Sequence, residues 1–304
     1  MEKAIMKDVK KTKYAKNESR VAMICLIPSI IGLTVLTYGP LLVSFVLSFF
    51  KWKGLSAPEF TGVSNYVRMF TTDPYFKDSL RVTMVFAILA VIGSMVYSLA
   101  VALLLNRDIP GRGFFRALFY LPYILPAIAV YVGWSWLYET NFGLFNYILN
   151  LLGIENIKFL SDSAAVVPSL ALIAVWLSGN LIVVFLAGLQ GVPRVFHEAA
   201  EIDGANAWQR FRHITIPSMA PIIFYNLLMA LITNMQVVTP ALALTSGGPG
   251  NSSMFVTYLM YRYAFKNNQI GYACAVATVF FVIVAIFTAI LFATSKIWMP
   301  SEGE

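Results

Sequence analysis

The sequence predicts an all-α, polytopic membrane protein that crosses the bilayer with six transmembrane helices. Of its 304 residues, 59% are hydrophobic and only 12% are charged, against roughly 25% charged in ordinary soluble domains. The charges are unevenly placed, because six long stretches contain no Asp, Glu, Lys or Arg. Each stretch reaches the length of about 20 apolar residues that a helix needs to cross the hydrocarbon core. A soluble protein with short buried helices would not keep charges out of six such windows.

The charge-free stretches define the predicted spans. They are Val21–Phe50, Val82–Asn106, Ala117–Tyr138, Ser163–Pro193, Ile214–Tyr261 and Asn267–Ser295. The fifth is too long for one tilted helix and divides at the turn-forming run Thr245–Ser253, whose backbone would be unsatisfied in lipid. The first is predicted to stay uncleaved, since its apolar region is about twice as long as that of a signal peptide. We therefore predict helices near residues 21–49, 82–105, 116–138, 165–189, 217–242 and 271–295.

The basic residues predict the orientation of the chain. With both termini inside, most of the 22 Lys and Arg residues face the cytoplasm, which is the usual bias of membrane proteins. This predicts a basic cytoplasmic tail over residues 1–20, a transmembrane domain over 21–296 with its core at 78–296, and a cytoplasmic tail over 297–304. The first tail accounts for most of the net charge of +7, so we expect contact with membrane lipid and no nucleic acid as a partner.

The lack of charges inside the spans narrows the class of function. A charge at the bilayer centre costs about 2.5–3.5 kcal/mol on insertion scales and usually marks an ion or proton pathway, so a proton- or sodium-coupled carrier is disfavoured. The sequence has no phosphate-binding loop of the G-x-x-x-x-G-K-[ST] type, so the chain itself is not predicted to hydrolyse nucleotides. It has no catalytic constellation and no metal site, because His197 and His213 lack partners at ligand spacing. Cys25 and Cys274 are predicted to be apolar helix residues.

The loop between the fourth and fifth spans, residues 190–217, is the most informative segment. Pro193 suits the first turn of a helix and Gly204 suits the position after its end. Between them, Phe196, Ala199, Ala200 and Asp203 recur at helical spacing, and the small residues leave room for another surface. From these residues alone, a docking helix and an interfacial amphipathic helix without a partner are equally good interpretations.

The order of residues in this loop resembles the EAA motif of permease subunits from binding-protein-dependent ABC importers. Glu198-Ala-Ala is followed by Asp203-Gly-Ala, and then by Ile214, Ile216 and Pro217. Ile216 stands where the family usually has Leu, a change that conserves volume. The resemblance implies that the loop couples the chain to an ATPase, through Phe196, Glu198, Ala199, Ala200, Asp203, Gly204, Ala205, Phe211, Ile214 and Pro217.

The resemblance also implies a fold and a set of partners. We expect the type I ABC importer permease fold in a bacterial-type plasma (inner) membrane, with both termini cytoplasmic. The chain would be a transport subunit and not an enzyme, and it would hold no cofactor, because ATP and Mg²⁺ would bind to two partner ATPase subunits. A second permease, in a heterodimer, and an extracellular or periplasmic solute-binding protein would complete the importer. The alternative is an ATP-independent secondary carrier or channel for a small polar solute.

Further motifs are similar to those of the carbohydrate-uptake branch of this family. They are Asn106–Arg116, Leu121–Pro126, Thr245–Gly250, Tyr261–Phe265 and Gly271–Ala273. They imply a sugar or oligosaccharide as cargo. Amide hydrogen bonds and aromatic stacking hold sugars, which makes Trp176, Ser178, Asn180, Asn234 and Gln236 the candidate cargo contacts. The other interpretation of these polar residues is that they bridge neighbouring helices.

Overall fold

The computed structural model describes residues 13–298 of the chain. Residues 1–12 of the predicted basic tail and residues 299–304 of the predicted carboxyl-terminal tail lie outside the described residues. Within this range the only strands are Phe50–Lys51 and Glu59–Phe60, which pair antiparallel as a short hairpin. The prediction of an all-α protein is therefore confirmed.

Three of the predicted spans are helices without a sharp break. Span one runs from Lys13–Gly32 through a π-turn at Leu33–Tyr38 into Gly39–Leu47. Span two is Phe76–Leu105, which begins before the predicted residue 82, and span six is Ile270–Trp298. All three are long and apolar enough to cross a bilayer.

The third and fourth spans are bent, which corrects the prediction of single helices over residues 116–138 and 165–189. Span three consists of Arg112–Ile124 and Ala127–Leu137, which meet at an angle of 99°. The cause is Pro126, which excludes the helical conformation at the residue before it, and Leu125 is extended with ψ of 146°. Span four consists of Val166–Trp176 and Gly179–Gly191, bent by 47°.

The fifth span is shorter than the predicted 217–242 and begins later. It is the helix Ala220–Met235, and a bend of 70° joins it to a preceding helix, Ala207–Ser218. Pro217 therefore lies before the bend and not at the start of the span. Together the two helices are long and apolar enough for one membrane span, as are the paired halves of spans three and four. With each bent pair taken as one span, the described chain has the six spans that the sequence predicts.

The remaining helices connect the spans. They are Ser64–Thr71 before span two, Leu144–Leu151 after span three, Arg194–Ile202 after span four, and Val256–Tyr261 before span six, with π-turns at Phe211–Thr215, Ala241–Thr245 and Arg262–Lys266. We call the end of the bundle with the Phe50–Phe60 hairpin the hairpin end. The end with residues 190–217 is the loop end.

Span two lies at the centre of the bundle, against both halves of span four and against span five. Its buried face has a stripe of small residues at helical spacing, Ala87, Ala90, Ser94, Ser98 and Ala102. Small side chains let membrane helices approach closely. Span four also lies close to Gly93 on the same helix, where an added Cβ would stand 2.6 Å from Cγ2 of Val175.

Polar side chains tie the hairpin end together. The buried carboxylate of Asp73 accepts hydrogen bonds from Tyr263, at 2.8 Å, and from Tyr272 at the start of span six. Burial and the hydrogen bond to Asp73 raise the pKa of Tyr263. The guanidinium group of Arg68 lies 4.1 Å from the centre of the Tyr272 ring. These contacts hold the start of span two next to the start of span six.

Candidate coupling surface and cargo cavity

The loop end carries a short helix, Arg194–Ile202, which we call the loop helix. Pro193 precedes it with φ of −62° and ψ of 128°, so this proline lies one residue before the helix, whereas the sequence predicts it in the first turn. At the other end Gly204 has φ of +81°, a conformation that glycine adopts without strain. The N–H of Ala205 donates to the carbonyl of Ala200 at 2.8 Å, which closes the last turn.

The loop helix is exposed on nearly all sides. None of its nine residues is buried, and its side chains include the large apolar groups Val195, Phe196 and Ile202, the last 87% exposed. Glu198 and Ala199 of the EAA motif are exposed as well. A helix outside the apolar spans with such an apolar surface is typical of a site for another protein.

A second helix leads from the loop helix to span five, and we call Ala207–Ser218 the lead helix. The side chain of Asn206 accepts from the N–H of Gln209 at 2.9 Å, and the side chain of Gln209 accepts from the N–H of Asn206 at 2.8 Å. This reciprocal pair is a capping box, which fixes the start of the helix. Phe211 and Ile214 are half-buried further along, so the lead helix is anchored toward the bundle.

The loop end also ties span three to span four. With its amide oxygen turned toward them, Gln190 accepts from Nη2 of Arg112 at 3.3 Å and from Nη2 of Arg116 at 2.9 Å. Nε of Arg112 in turn donates to the carbonyl of Leu105 at 2.6 Å. The start of the loop 190–217 is therefore attached to the ends of spans two and three.

Three of the five candidate cargo contacts meet in one cavity of about 300 Å³. Ser178, Asn180 and Asn234 line it, together with Tyr123 and Tyr131, which sequence reasoning missed. The cavity lies between the bend of span three, the break in span four and the last turns of span five. Because span three turns at Pro126, tyrosines from both of its halves reach the same space. A proline in an apolar span was the one signal that could have indicated them.

The polar side chains in this cavity differ in their hydrogen-bond partners. The hydroxyl of Ser178 lies 2.9 Å from that of Ser98 in span two and bridges the two helices. Nδ2 of Asn234 donates to the carbonyl of Ala230 in its own helix at 2.8 Å. The side chain of Asn180 makes no hydrogen bond to a residue that the structure describes, which leaves its amide available to a ligand.

The other two candidates line different spaces. Trp176 packs edge-on against Trp134, with ring centres 5.5 Å apart, and both line a separate groove of about 460 Å³. Gln236 follows the end of span five and lines a groove of about 640 Å³ beside spans one and six. Trp176 shares one neighbour, Leu125, with the central cavity, whereas Gln236 is on another side of the bundle.

Comparison with known proteins agrees with the loop motif. Residues 97–296 match the family described as the inner membrane component of binding-protein-dependent transport systems. The chain belongs to this family. The matched region of this transport component runs from the last third of span two to span six. It includes the loop helix, the lead helix and every residue that lines the central cavity except Ser94. The resemblance inferred from the loop motif is therefore confirmed.

Relatives of this transport component are permeases. YesP of Bacillus subtilis, described as a probable ABC transporter permease protein, is 35% identical over 97% of this chain and 97% of its own length. MsmF of Streptococcus mutans, described as a multiple sugar-binding transport system permease protein, is 35% identical over 89% of this chain and 93% of its own.

A solved structure shares the whole architecture. In a bacterial alginate ABC transporter in complex with a periplasmic protein that holds an alginate pentasaccharide, one chain has a TM-score of 0.80 and 19% identity, over 94% of this chain and 98% of its own. At this identity the likeness shows the fold. The predicted ABC importer permease fold is therefore confirmed.

Proposed function

We propose that this permease forms part of the membrane pathway of an ATP-driven carbohydrate importer and is moved by ATPase subunits that bind the loop helix. The observation that carries the proposal is the apolar surface of Val195, Phe196 and Ile202, exposed on a helix outside the spans. Such a surface is stabilised when a partner covers it. The family match and the EAA residues support an ATPase as that partner.

The proposal assigns each partner a role. Two ATPase subunits bind ATP and Mg²⁺, since this chain has no phosphate-binding loop. A solute-binding protein delivers a sugar or oligosaccharide to the hairpin end, and a second, related permease completes the pathway as a heterodimer. The relative named for multiple sugars and the alginate transporter with its periplasmic protein support these assignments. In this proposal the loop end faces the cytoplasm, and so do both termini.

The central cavity is the proposed cargo site. Asn180, Asn234 and Ser178 offer amide and hydroxyl groups, and Tyr123 and Tyr131 offer ring faces, which is the combination that binds sugar hydroxyls and ring faces. Trp176 borders the same path in the neighbouring groove. Gln236 remains a proposed contact beside the other groove, one that cargo would meet nearer the hairpin end.

The proposed movement follows the connections of the loop end. Closure of the ATPases displaces the loop helix, and the lead helix passes the displacement to span five, which lines the cavity. Spans three and four are bent next to this cavity, whereas span five is bent at the loop end, before Ala220. Rotation of one half of span three or four against the other half opens the cavity to one side or the other. This is a rigid-body transition biased by nucleotide at one end and by cargo at the other.

Purification and reconstitution test the proposal. The tagged chain, extracted from its native membrane, should copurify with a nucleotide-binding ATPase and a second permease. In proteoliposomes with the copurifying solute receptor and a sugar that this receptor binds, uptake should require ATP. Uptake that persists without the ATPase would select the ATP-independent carrier or channel instead.

A single substitution tests the role of the loop helix. Gly204→Asp places a charged side chain at a position with φ of +81°, so we expect ATP hydrolysis to continue while uptake falls about tenfold or more. Gly62→Asp is the matched control, because Gly62 also has positive φ and open space around it but lies at the hairpin end. Unchanged uptake in Gly204→Asp would refute the coupling role of the loop.

A further inference from the structure

The elbow between the loop helix and the lead helix has little packing of its own. Four residues, Asp203–Asn206, connect the two helices, and Gly204 lies among them. The space between the helices is a cavity of about 340 Å³, lined by Ala200, Gln209, His213 and Ile214 among others. The two helices therefore do not hold their relative angle through a dry apolar contact.

One ion pair crosses this elbow. Nη1 of Arg210, in the lead helix, lies 2.7 Å from Oε2 of Glu201, in the loop helix. The other two ion pairs in the described chain are longer, at 3.6 and 3.7 Å. The Arg210 side chain is only 24% exposed, so its position is restricted by the protein around it. The Glu201 side chain is 70% exposed, so the pair contributes on the scale of a surface ion pair, and the restricted Arg210 gives it a defined geometry.

The position of Arg210 relates the ion pair to the membrane spans. Arg210 is the last residue before the π-turn Phe211–Thr215, which runs through the half-buried Ile214 and the buried Thr215 toward span five. On the other side of the elbow, Glu201 lies one turn after Glu198 of the EAA motif. The pair therefore joins the proposed docking helix directly to the helix that enters span five.

We propose that Glu201 and Arg210 are positioning residues that brace this elbow, so that displacement of the loop helix moves span five and is not absorbed by rotation at Gly204. Glycine has the widest choice of backbone conformations, and without a brace the connection would act as a free hinge. The EAA motif does not include either residue. The inference rests on the proposed function, because it assumes that the loop helix is the part that an ATPase moves.

A distance measurement tests the brace without any partner. Spin labels are attached through Arg194→Cys and Ala207→Cys, at the exposed first residues of the two helices, in the full chain in lipid nanodiscs. Cys25 and Cys274, the two native cysteines, are replaced by Ala beforehand. We expect one narrow distance distribution between the labels when the ion pair is intact.

Variants of the pair then decide the interpretation. Glu201→Gln and Arg210→Gln should each broaden the distribution, and the exchanged pair Glu201→Arg with Arg210→Glu should narrow it again. Arg212→Gln is the control for loss of a positive charge, since Arg212 is exposed and has no ion pair in the part of the chain described here. A distribution that stays narrow in both single variants would overturn the proposal.

Transport by the complete importer provides the second readout. Each single variant should lower the amount of sugar taken up per ATP hydrolysed by about fivefold, close to the limit for a surface ion pair, and the exchanged pair should restore most of it. Unchanged uptake per ATP would overturn the proposal even if the elbow loosens. If the unmodified complex shows no ATP-dependent uptake, the proposed function fails, and the distance measurement still decides whether the ion pair braces the elbow.

Discussion

The loop helix exposes apolar side chains and the buried face of span two contains polar ones, which is the reverse of the distribution in soluble proteins. The loop helix lies outside the spans and exposes Val195, Phe196 and Ile202. Span two lies in the centre of an apolar bundle and buries Ser94 and Ser98. Hydrophobic burial stabilises proteins in water, but between membrane helices close packing and hydrogen bonds replace it. The loop helix therefore has the apolar side chains suited to binding a partner in water, and span two has the small and polar side chains suited to packing between membrane helices.

The two regions also differ in their contacts. Those of span two are complete within this chain, whereas the exposed side chains of the loop helix need another protein. In span two the hydroxyl of Ser98 already has a partner in Ser178, and Gly93 already lies against Val175. In the loop helix nothing in the described chain covers Ile202. Substitutions in span two should therefore change the stability of the isolated chain, and substitutions of the exposed apolar side chains of the loop helix should change its association instead.

The largest effect is expected at the tight contact between Gly93 and Val175. In Gly93→Val the new side chain would overlap Val175, because even a Cβ would stand 2.6 Å from its Cγ2, and overpacking of this kind costs about 1–3 kcal/mol. Denaturant titration of the purified chain should show this loss, and a second change, Val175→Gly, should recover part of it. Gly32→Val, in span one, has open space and should be neutral. Equal losses in both would mean that close packing is not what Gly93 provides.

An effect within the same range, on binding and not on stability, is expected at the loop helix. Ile202→Asp should leave the unfolding midpoint unchanged and weaken binding of the copurifying ATPase by about 30-fold, the effect of losing a central apolar contact of about 2 kcal/mol. Binding is measured by titration of the detergent-solubilised permease. Leu55→Asp is the control, since Leu55 is also fully exposed but lies at the hairpin end. If the unfolding midpoint of Ile202→Asp dropped, this residue would be part of the core of the chain.

The smallest effect is expected at the bridging serines. Ser98→Ala removes one hydrogen bond between spans two and four, and such bonds contribute about 0.6 kcal/mol on average in membrane proteins. The hydroxyl of Ser178 keeps a second partner, the carbonyl of Val175 at 2.6 Å, so no buried group is left unpaired. The same denaturant titration measures the change. A loss as large as that of Gly93→Val would show that hydrogen bonding dominates this contact.

The sequence predicts the loop end well because its signals are local. Pro193 and Gly204 act within one turn of the helix ends that they mark, and the structure has that helix at Arg194–Ile202. The number of spans follows from a similarly direct rule, the length of an apolar stretch. Neither depends on which surfaces meet after folding.

The bends and the cavity could not be predicted in the same way. A proline in a membrane helix is compatible with a slight kink or a sharp turn, and neighbouring helices decide between them. At Pro126 the result is a bend of 99°, which brings Tyr123 and Tyr131 to Asn180. Asn226 of span five is another example, because its bond to the carbonyl of Leu181 at 3.2 Å depends on how two helices cross. Whether these polar residues contact cargo stays a prediction.

The bend in span three has a consequence for how cargo recognition is studied. Pro122 and Pro126 have no N–H, so the carbonyl groups of Leu118 and Pro122 lose the bond that a regular helix would supply four residues on. Pro122 precedes Tyr123, which lines the central cavity, so a main-chain acceptor lies beside the proposed cargo site, and alanine scanning does not remove it. A scan in which every single side chain proves dispensable would be the expected record of a site that offers its acceptors from the backbone.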